Sequence, residues 1–129
     1  MTPHLLRNLS LLLVEDDQVL AGVMTRWVQW LGATLDTAGL GADALSMVAE
    51  KKYDVVLLDL TLPDMKGDAI YAGLVKICPD LASRVIILTG GAINGEAKAF
   101  LRSTHCPVVL KPFELENLAR QIATLNRAA

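Results

Sequence analysis

Four apolar runs in the chain each end on a side chain capable of chemistry. Leu11-Leu12-Leu13-Val14 ends in Glu15-Asp16-Asp17, Val55-Val56-Leu57-Leu58 in Asp59, Val85-Ile86-Ile87-Leu88 in Thr89, and Pro107-Val108-Val109-Leu110 in Lys111. Asp59 is the reference point, because Leu60-Thr61-Leu62-Pro63 and then Gly67 follow it as a loop, where a carboxylate is better placed for chemistry than for packing. If Glu15, Asp16 and Asp59 meet, their charges repel and raise at least one pKa unless a cation neutralises them. Oxygen ligands with no His or Cys beside them favour Mg²⁺ or a similar hard cation over zinc. His4 and His105 fall in the N-terminal stretch and ahead of the fifth strand, so neither reads as a ligand. A magnesium site implies a phosphate-bearing partner. A lysine and a hydroxyl opposite the metal complete a cradle for a phosphoryl group, whose transfer is mostly positioning and charge neutralisation. Asp59 is then the nucleophile that forms an acyl phosphate, with Lys111 holding a phosphoryl oxygen.

The elements that must bring these residues together follow from the pattern. Short unbroken apolar runs read as strands buried on both faces, which usually means parallel. Asp17 is a good N-cap for a helix from Gln18 to Leu31, with Val19, Leu20, Val23, Met24, Trp27, Val28 and Leu31 at helical spacing and Gly32 as its stop. Trp27 lies on that stripe and reads as core, while Trp30 is left open. Ala33 to Ala38 alternates in part and suggests an edge strand. The next helix carries Ala42, Leu45, Val48 and Ala49 on one face and ends at Lys51-Lys52. A third helix is expected from about Asp68 to Ile77, closed by Pro79, and a fourth from Asn94 to Arg102, with Gly90 to Gly95 as a mobile connection. Glu114 to Asn126 closes the chain with Leu115, Leu118, Ile122 and Leu125 on its buried stripe.

The order is (βα)5, an α/β fold. Right-handed crossovers then give a doubly wound, parallel five-stranded sheet with helices on both faces, in the flavodoxin-like order 2-1-3-4-5. Such a sheet places every strand's carboxyl end on one edge. Residues 10–126 are expected to form the single domain, with 1–9 and 127–129 as tails.

Composition narrows the function classes. The 129 residues are 53% hydrophobic, with a mean hydropathy of +0.41, enough for a buried core. Formal charge is −2 and the pI about 5.6, with no basic block, so no direct contact with nucleic acid is expected. No apolar run approaches a membrane span and no signal-peptide pattern is present, which predicts a cytoplasmic protein. Cys78 and Cys106 are isolated and fit reduced thiols.

The motifs LLLVEDD, VVLLDLTLPDMKG, VIILTGG and VVLKPF, in this order from about Ser10 to Leu125, resemble the receiver domain of two-component response regulators. The spacings of 30 residues from Asp59 to Thr89 and 22 from Thr89 to Lys111 leave room for one helix in each interval. The resemblance implies phosphorelay signalling, in which Asp59 accepts a phosphoryl group from a phosphohistidine of a histidine kinase or phosphotransfer protein. It implies Mg²⁺ bound by Asp16, Asp59 and the backbone carbonyl of Thr61, with Glu15 acting mainly through water. Thr89 would hydrogen-bond the phosphoryl group and Lys111 would pair with it. The resemblance also implies a cis Lys111-Pro112 peptide and a phosphoacceptor that assists its own phosphorylation and dephosphorylation rather than an enzyme. A monomer is the expected state.

The chain departs from the pattern at Val108, where receivers commonly carry an aromatic residue, so a switch through an aromatic rotamer is in doubt and a route through Gly90-Gly91 and the fourth helix is the substitute. Thr89 to Leu101 and Cys106-Pro107-Val108 resemble receivers at the ends of hybrid sensor histidine kinases more than those of transcription factors. Read singly, each site residue also has a structural explanation: Asp16 and Asp17 as helix caps, Thr89 as a turn cap, Lys111 as a solvated charge. Two other functions share parts of this pattern. One is a phosphorylation-independent interaction module with the same fold. The other is a phosphohydrolase of the haloacid dehalogenase type, but Asp59-Leu60-Thr61 lacks that family's second Asp and no cap domain fits.

Overall fold

Successive side chains of a strand point to opposite faces, so an unbroken apolar run needs cover on both sides of its sheet. The computed structural model, which describes residues 4–90 and 95–128, provides that cover with helices on both sides. In chain order the elements are β1 (Ser10–Val14), α1 (Gln18–Trp30), β2 (Thr34–Ala38), α2 (Gly41–Glu50), β3 (Val55–Asp59), α3 (Gly67–Ile77), β4 (Val85–Thr89), α4 (Gly95–Ser103), β5 (Val108–Leu110) and α5 (Leu115–Ala128). A short 3-10 turn, Pro79–Ser83, which sequence reading did not anticipate, joins α3 to β4. The strands pair in parallel in the order β2-β1-β3-β4-β5, with β2 at one edge.

Strand periodicity divides the core in two. Leu11, Leu13, Leu57, Ile86 and Leu88 face α1 and α5, where they meet Met24, Val28, Leu118 and Ile122. The alternate residues Leu12, Val14, Val56, Leu58 and Ile87 face the other layer, including Ala44 and Val48 of α2 and Ile70 and Leu74 of α3. Each fully buried side chain of this size contributes about 1.5–3 kcal/mol relative to leaving it in water.

The helical faces differ from expectation in phase. Of the apolar residues at helical spacing in α1, Met24, Val28 and the following Leu31 are buried with Ala21; Leu20 and Trp27 are half-buried, and Val19 and Val23 are exposed. Trp30 is exposed. The sheet covers a narrower arc of α1 than its apolar residues span. On α2 the core-facing set is Gly41, Ala44 and Val48, whereas Ala42 and Ala49 are exposed. Ala44 and Val48 sit one turn apart over the sheet, which rotates the row through Ala42 and Ala49 outward.

Leu6, inside the stretch expected to be a tail, is fully buried as a member of the core cluster on the α1 and α5 side of the sheet. The Leu6 N–H donates to Leu31 O at 3.0 Å and Asn8 N–H to Gly32 O at 2.9 Å, next to the positive φ of Gly32 that ends α1. At the other terminus α5 continues to Ala128, past Asn126. The described part of α4 spans Gly95–Ser103; residues 91–94, which include the expected first residue Asn94 and part of the connection read as mobile, lie outside the described residues.

Candidate functional site

All five strands run the same way, so β1, β3, β4 and β5 deliver their last residues to one edge. Glu15 follows β1 and is tied there by its N–H to Ala38 O at 2.9 Å. Asp17 caps α1, accepting from the N–H groups of Val19 and Leu20 at 3.0 and 3.1 Å, which leaves Asp16 exposed between the buried Glu15 and the cap. Asp59 is the last residue of β3, Thr89 the last of β4, and both are 2% exposed. Lys111 follows β5, with its N–H bonded to Thr89 O at 2.7 Å and a cis peptide to Pro112.

Asp59 is held through both carboxylate oxygens. Oδ1 accepts from the Thr61 N–H at 3.0 Å and from the Thr61 hydroxyl at 2.9 Å. Oδ2 accepts from Lys111 Nζ at 3.2 Å, and the same ammonium donates to Glu15 Oε1. One carboxylate oxygen from each of Glu15, Asp16 and Asp59 lies within 4.8 Å of the others, the one such cluster among the described residues.

The crowding separates the two buried acids. Burial, with a hydrogen bond and repulsion from Asp59, pushes Glu15 up to about 7 despite the opposing pull of Lys111. Burial acts the same way on Asp59, but hydrogen bonds from Glu15 and Thr61 and the charge of Lys111 outweigh it and hold Asp59 below its ordinary value. Burial alone would lower Lys111, yet its contacts with Glu15 and Asp59 hold it above the usual lysine range. The donor set therefore fits a hard divalent cation: it is oxygen-only, contains an exposed carboxylate through which an ion can enter, and strains toward protonation without further positive charge.

The structure thus brings Glu15, Asp16, Asp59, Thr61 and Lys111 together, with Thr89 at the end of the adjacent strand. Three contacts escaped sequence reading. Glu15 bonds Lys111 directly, a pairing across 96 positions with no local signal. Asp64, in the loop after β3, accepts from the N–H groups of Gly41 and Ala42 at 2.8 and 3.1 Å and supplies the cap that Leu40 cannot give α2. Lys66 of the same loop pairs with Glu96 of α4 at 2.7 Å.

Comparison with known proteins agrees with this geometry. The response regulator receiver domain model matches residues 11–123. The probable transcriptional regulatory protein TcrX of Mycobacterium tuberculosis is 31% identical over 118 residues, covering 92% of this chain and 50% of that protein. Transcription factor SKN7 of Saccharomyces cerevisiae is 28% identical over 117 residues, covering 91% of this chain and 18% of that protein. The chain therefore spans half or less of the length of these two curated relatives. Among solved structures, the receiver domain of sensor histidine kinase PA1611 from Pseudomonas aeruginosa superposes with a TM-score of 0.81 at 24% identity, covering 93% of this chain and 98% of that one. That structure has a magnesium ion coordinated in its active-site cleft. The chain belongs to the response regulator receiver domain family, the phosphorelay domain of two-component signalling. No described helix is long and apolar enough to cross a membrane.

Proposed function

We propose that Asp59 is the phosphoacceptor of this receiver and takes its phosphoryl group from a phosphohistidine on a histidine kinase or histidine phosphotransfer protein. The observation that carries this reading is the double hold on Asp59, Thr61 on one oxygen and Lys111 on the other, at the strand edge beside two more carboxyls. A carboxylate kept ionised and aimed in this way is a prepared nucleophile. An Asp59 oxygen attacks phosphorus, the phosphorus–nitrogen bond breaks, and its electron pair leaves with the imidazole of the donor. Lys111 offsets charge on the transferred group, and Thr89 donates its hydroxyl to a phosphoryl oxygen. The same groups assist both phosphorylation and hydrolysis of the acyl phosphate, so the domain acts on itself rather than as an enzyme on a separate substrate.

Asp16, Asp59 and the Thr61 carbonyl would hold Mg²⁺, with Glu15 contributing mainly through water. When bound, the ion supplies charge neutralisation for the incoming phosphoryl oxygens. We read the chain as a cytoplasmic monomer that meets protein partners and does not contact nucleic acid itself, in keeping with its net charge of −2 and its isolated cysteines.

Intact-mass analysis after phosphoramidate treatment, with and without Mg²⁺, tests the assignment. The wild type should gain one phosphoryl group only with the metal, and Asp59→Asn should gain none. Unchanged labelling in that variant would remove Asp59 from the role, and no labelling of the wild type under any condition would favour the phosphorylation-independent module.

A further inference from the structure

We propose that the loop after β3 is a strap that carries the state of Asp59 to the first turn of α4 through Thr61, Lys66 and Glu96. The proposal rests on the reading of Asp59 as the phosphoacceptor. Its first link is the pair of hydrogen bonds from Thr61 to Asp59 Oδ1, at 3.0 and 2.9 Å. The second is an isolated antiparallel bridge between Thr61 and Lys66, which closes the loop on itself. The third is the ion pair between Lys66 Nζ and Glu96 Oε2 at 2.7 Å, which spans from the loop to α4.

The rest of the loop is anchored, so movement at Thr61 has few other outlets. Asp64 is fastened to α2 by the amides of Gly41 and Ala42. Gly67 lies against Leu60 so closely that an added Cβ would sit 2.4 Å from Leu60 Cδ2. Lys66 stands between these two fixed points, at the N-terminus of α3. Between the loop and α4 lies a cavity of about 300 Å³ lined in part by Leu62, Met65 and Phe100, so this side of the helix is not packed solid.

Phosphorylation changes the first link directly. Converting the carboxylate to an acyl phosphate moves negative charge from Asp59 onto the phosphoryl oxygens, and the Thr61 donors lose their ionised acceptor. An exposed ion pair is a weak tie in high dielectric. It is sufficient here because α4 buries none of its described side chains fully and rests on α3 through the edge contact of Phe100 with Tyr71. An element with so little burial opens at low free energy, so a small bias displaces it.

The test is hydrogen exchange of residues 95–103, measured on the full chain with phosphoramidate and Mg²⁺, with phosphoryl mass read from the same samples. In the wild type, modification should change exchange in α4. Lys66→Met and Glu96→Gln should each reach the same phosphoryl mass and lose most of that change, and the double variant should lose no more than either single variant, as for two residues acting through one contact. A full α4 response in Lys66→Met at equal phosphoryl mass, or a wild type whose α4 ignores phosphorylation, overturns the strap. Additive losses in the double variant overturn the pair as its link. A wild type that gains no phosphoryl mass overturns the reading of Asp59 and the strap with it.

Discussion

Lys111 Nζ lies 3.2 Å from Asp59 Oδ2 and also donates to Glu15 Oε1, so one ammonium serves two buried carboxyls from different strands. The contact ties the ends of β1, β3 and β5 together and pulls both carboxyls downward, against the burial and the repulsion from Asp59 that still hold Glu15 up. Lys111→Met should therefore slow phosphoramidate labelling by about 10²–10³-fold, the usual effect of removing one stabilising group from a charge-developing site. The same change leaves Glu15 and Asp59 without their cation, and urea unfolding should register a loss of about 1–3 kcal/mol. A labelling rate equal to wild type would deny Lys111 its role.

Asp16 and Glu15 differ in exposure although they are neighbours, and their metal roles should differ as well. Isothermal titration with Mg²⁺ should show Asp16→Ala losing roughly tenfold more affinity than Glu15→Ala, about 1.4 kcal/mol. Equal losses in the two variants would contradict a direct ligand at Asp16 and a water-mediated one at Glu15.

The cluster at the β2 edge gives a pH dependence remote from the site. Asp36 Oδ2 accepts from the Tyr53 hydroxyl at 2.7 Å and from Lys51 Nζ at 3.0 Å, and these contacts, Tyr53 first, hold its carboxyl below the ordinary value. A depressed acid contributes stability above its unfolded pKa and loses it as pH falls through the folded one. Tyr53→Phe should therefore cost about 0.5–1 kcal/mol at pH 7, the screened end of the range for such a bond. The gap to wild type should narrow below pH 3.8, the unperturbed value for Asp36. A gap constant from neutral to acidic pH in urea melts would show that the hydroxyl does not act through Asp36.

Leu6, in the N-terminal stretch, is fully buried in the core. Leu6→Ala should destabilise the protein by about 2–5 kcal/mol, as for other fully buried leucines. A thermal midpoint that stays at the wild-type value would mean that the segment packs without contributing.

Much of the site was legible because its signals are local. Each of Asp59, Thr89 and Lys111 directly follows an apolar run, and crossover handedness then sends all the strand ends to one edge. The expectation that clustered acids would raise at least one pKa is met at Glu15, whose carboxyl stands at about 7. The helix faces were less legible. Val19 and Val23 lie at core-like spacing in α1, but spacing defines a stripe without saying how wide an arc the sheet covers.

What the sequence determined by itself, then, is the alternation of strands and helices, the parallel sheet and the type of side chain at each strand end, because these follow from apolar periodicity and chain handedness over a few residues. Tertiary structure alone decided that Leu6 enters the core, that Asp64 caps α2 from the loop after β3, that Lys66 reaches Glu96, and that Glu15 shares Lys111 with Asp59. The Asp64, Lys66 and Glu15 contacts join residues 23, 30 and 96 positions apart. Such pairs leave no periodic trace, since their energy comes from groups that only the completed fold brings within reach.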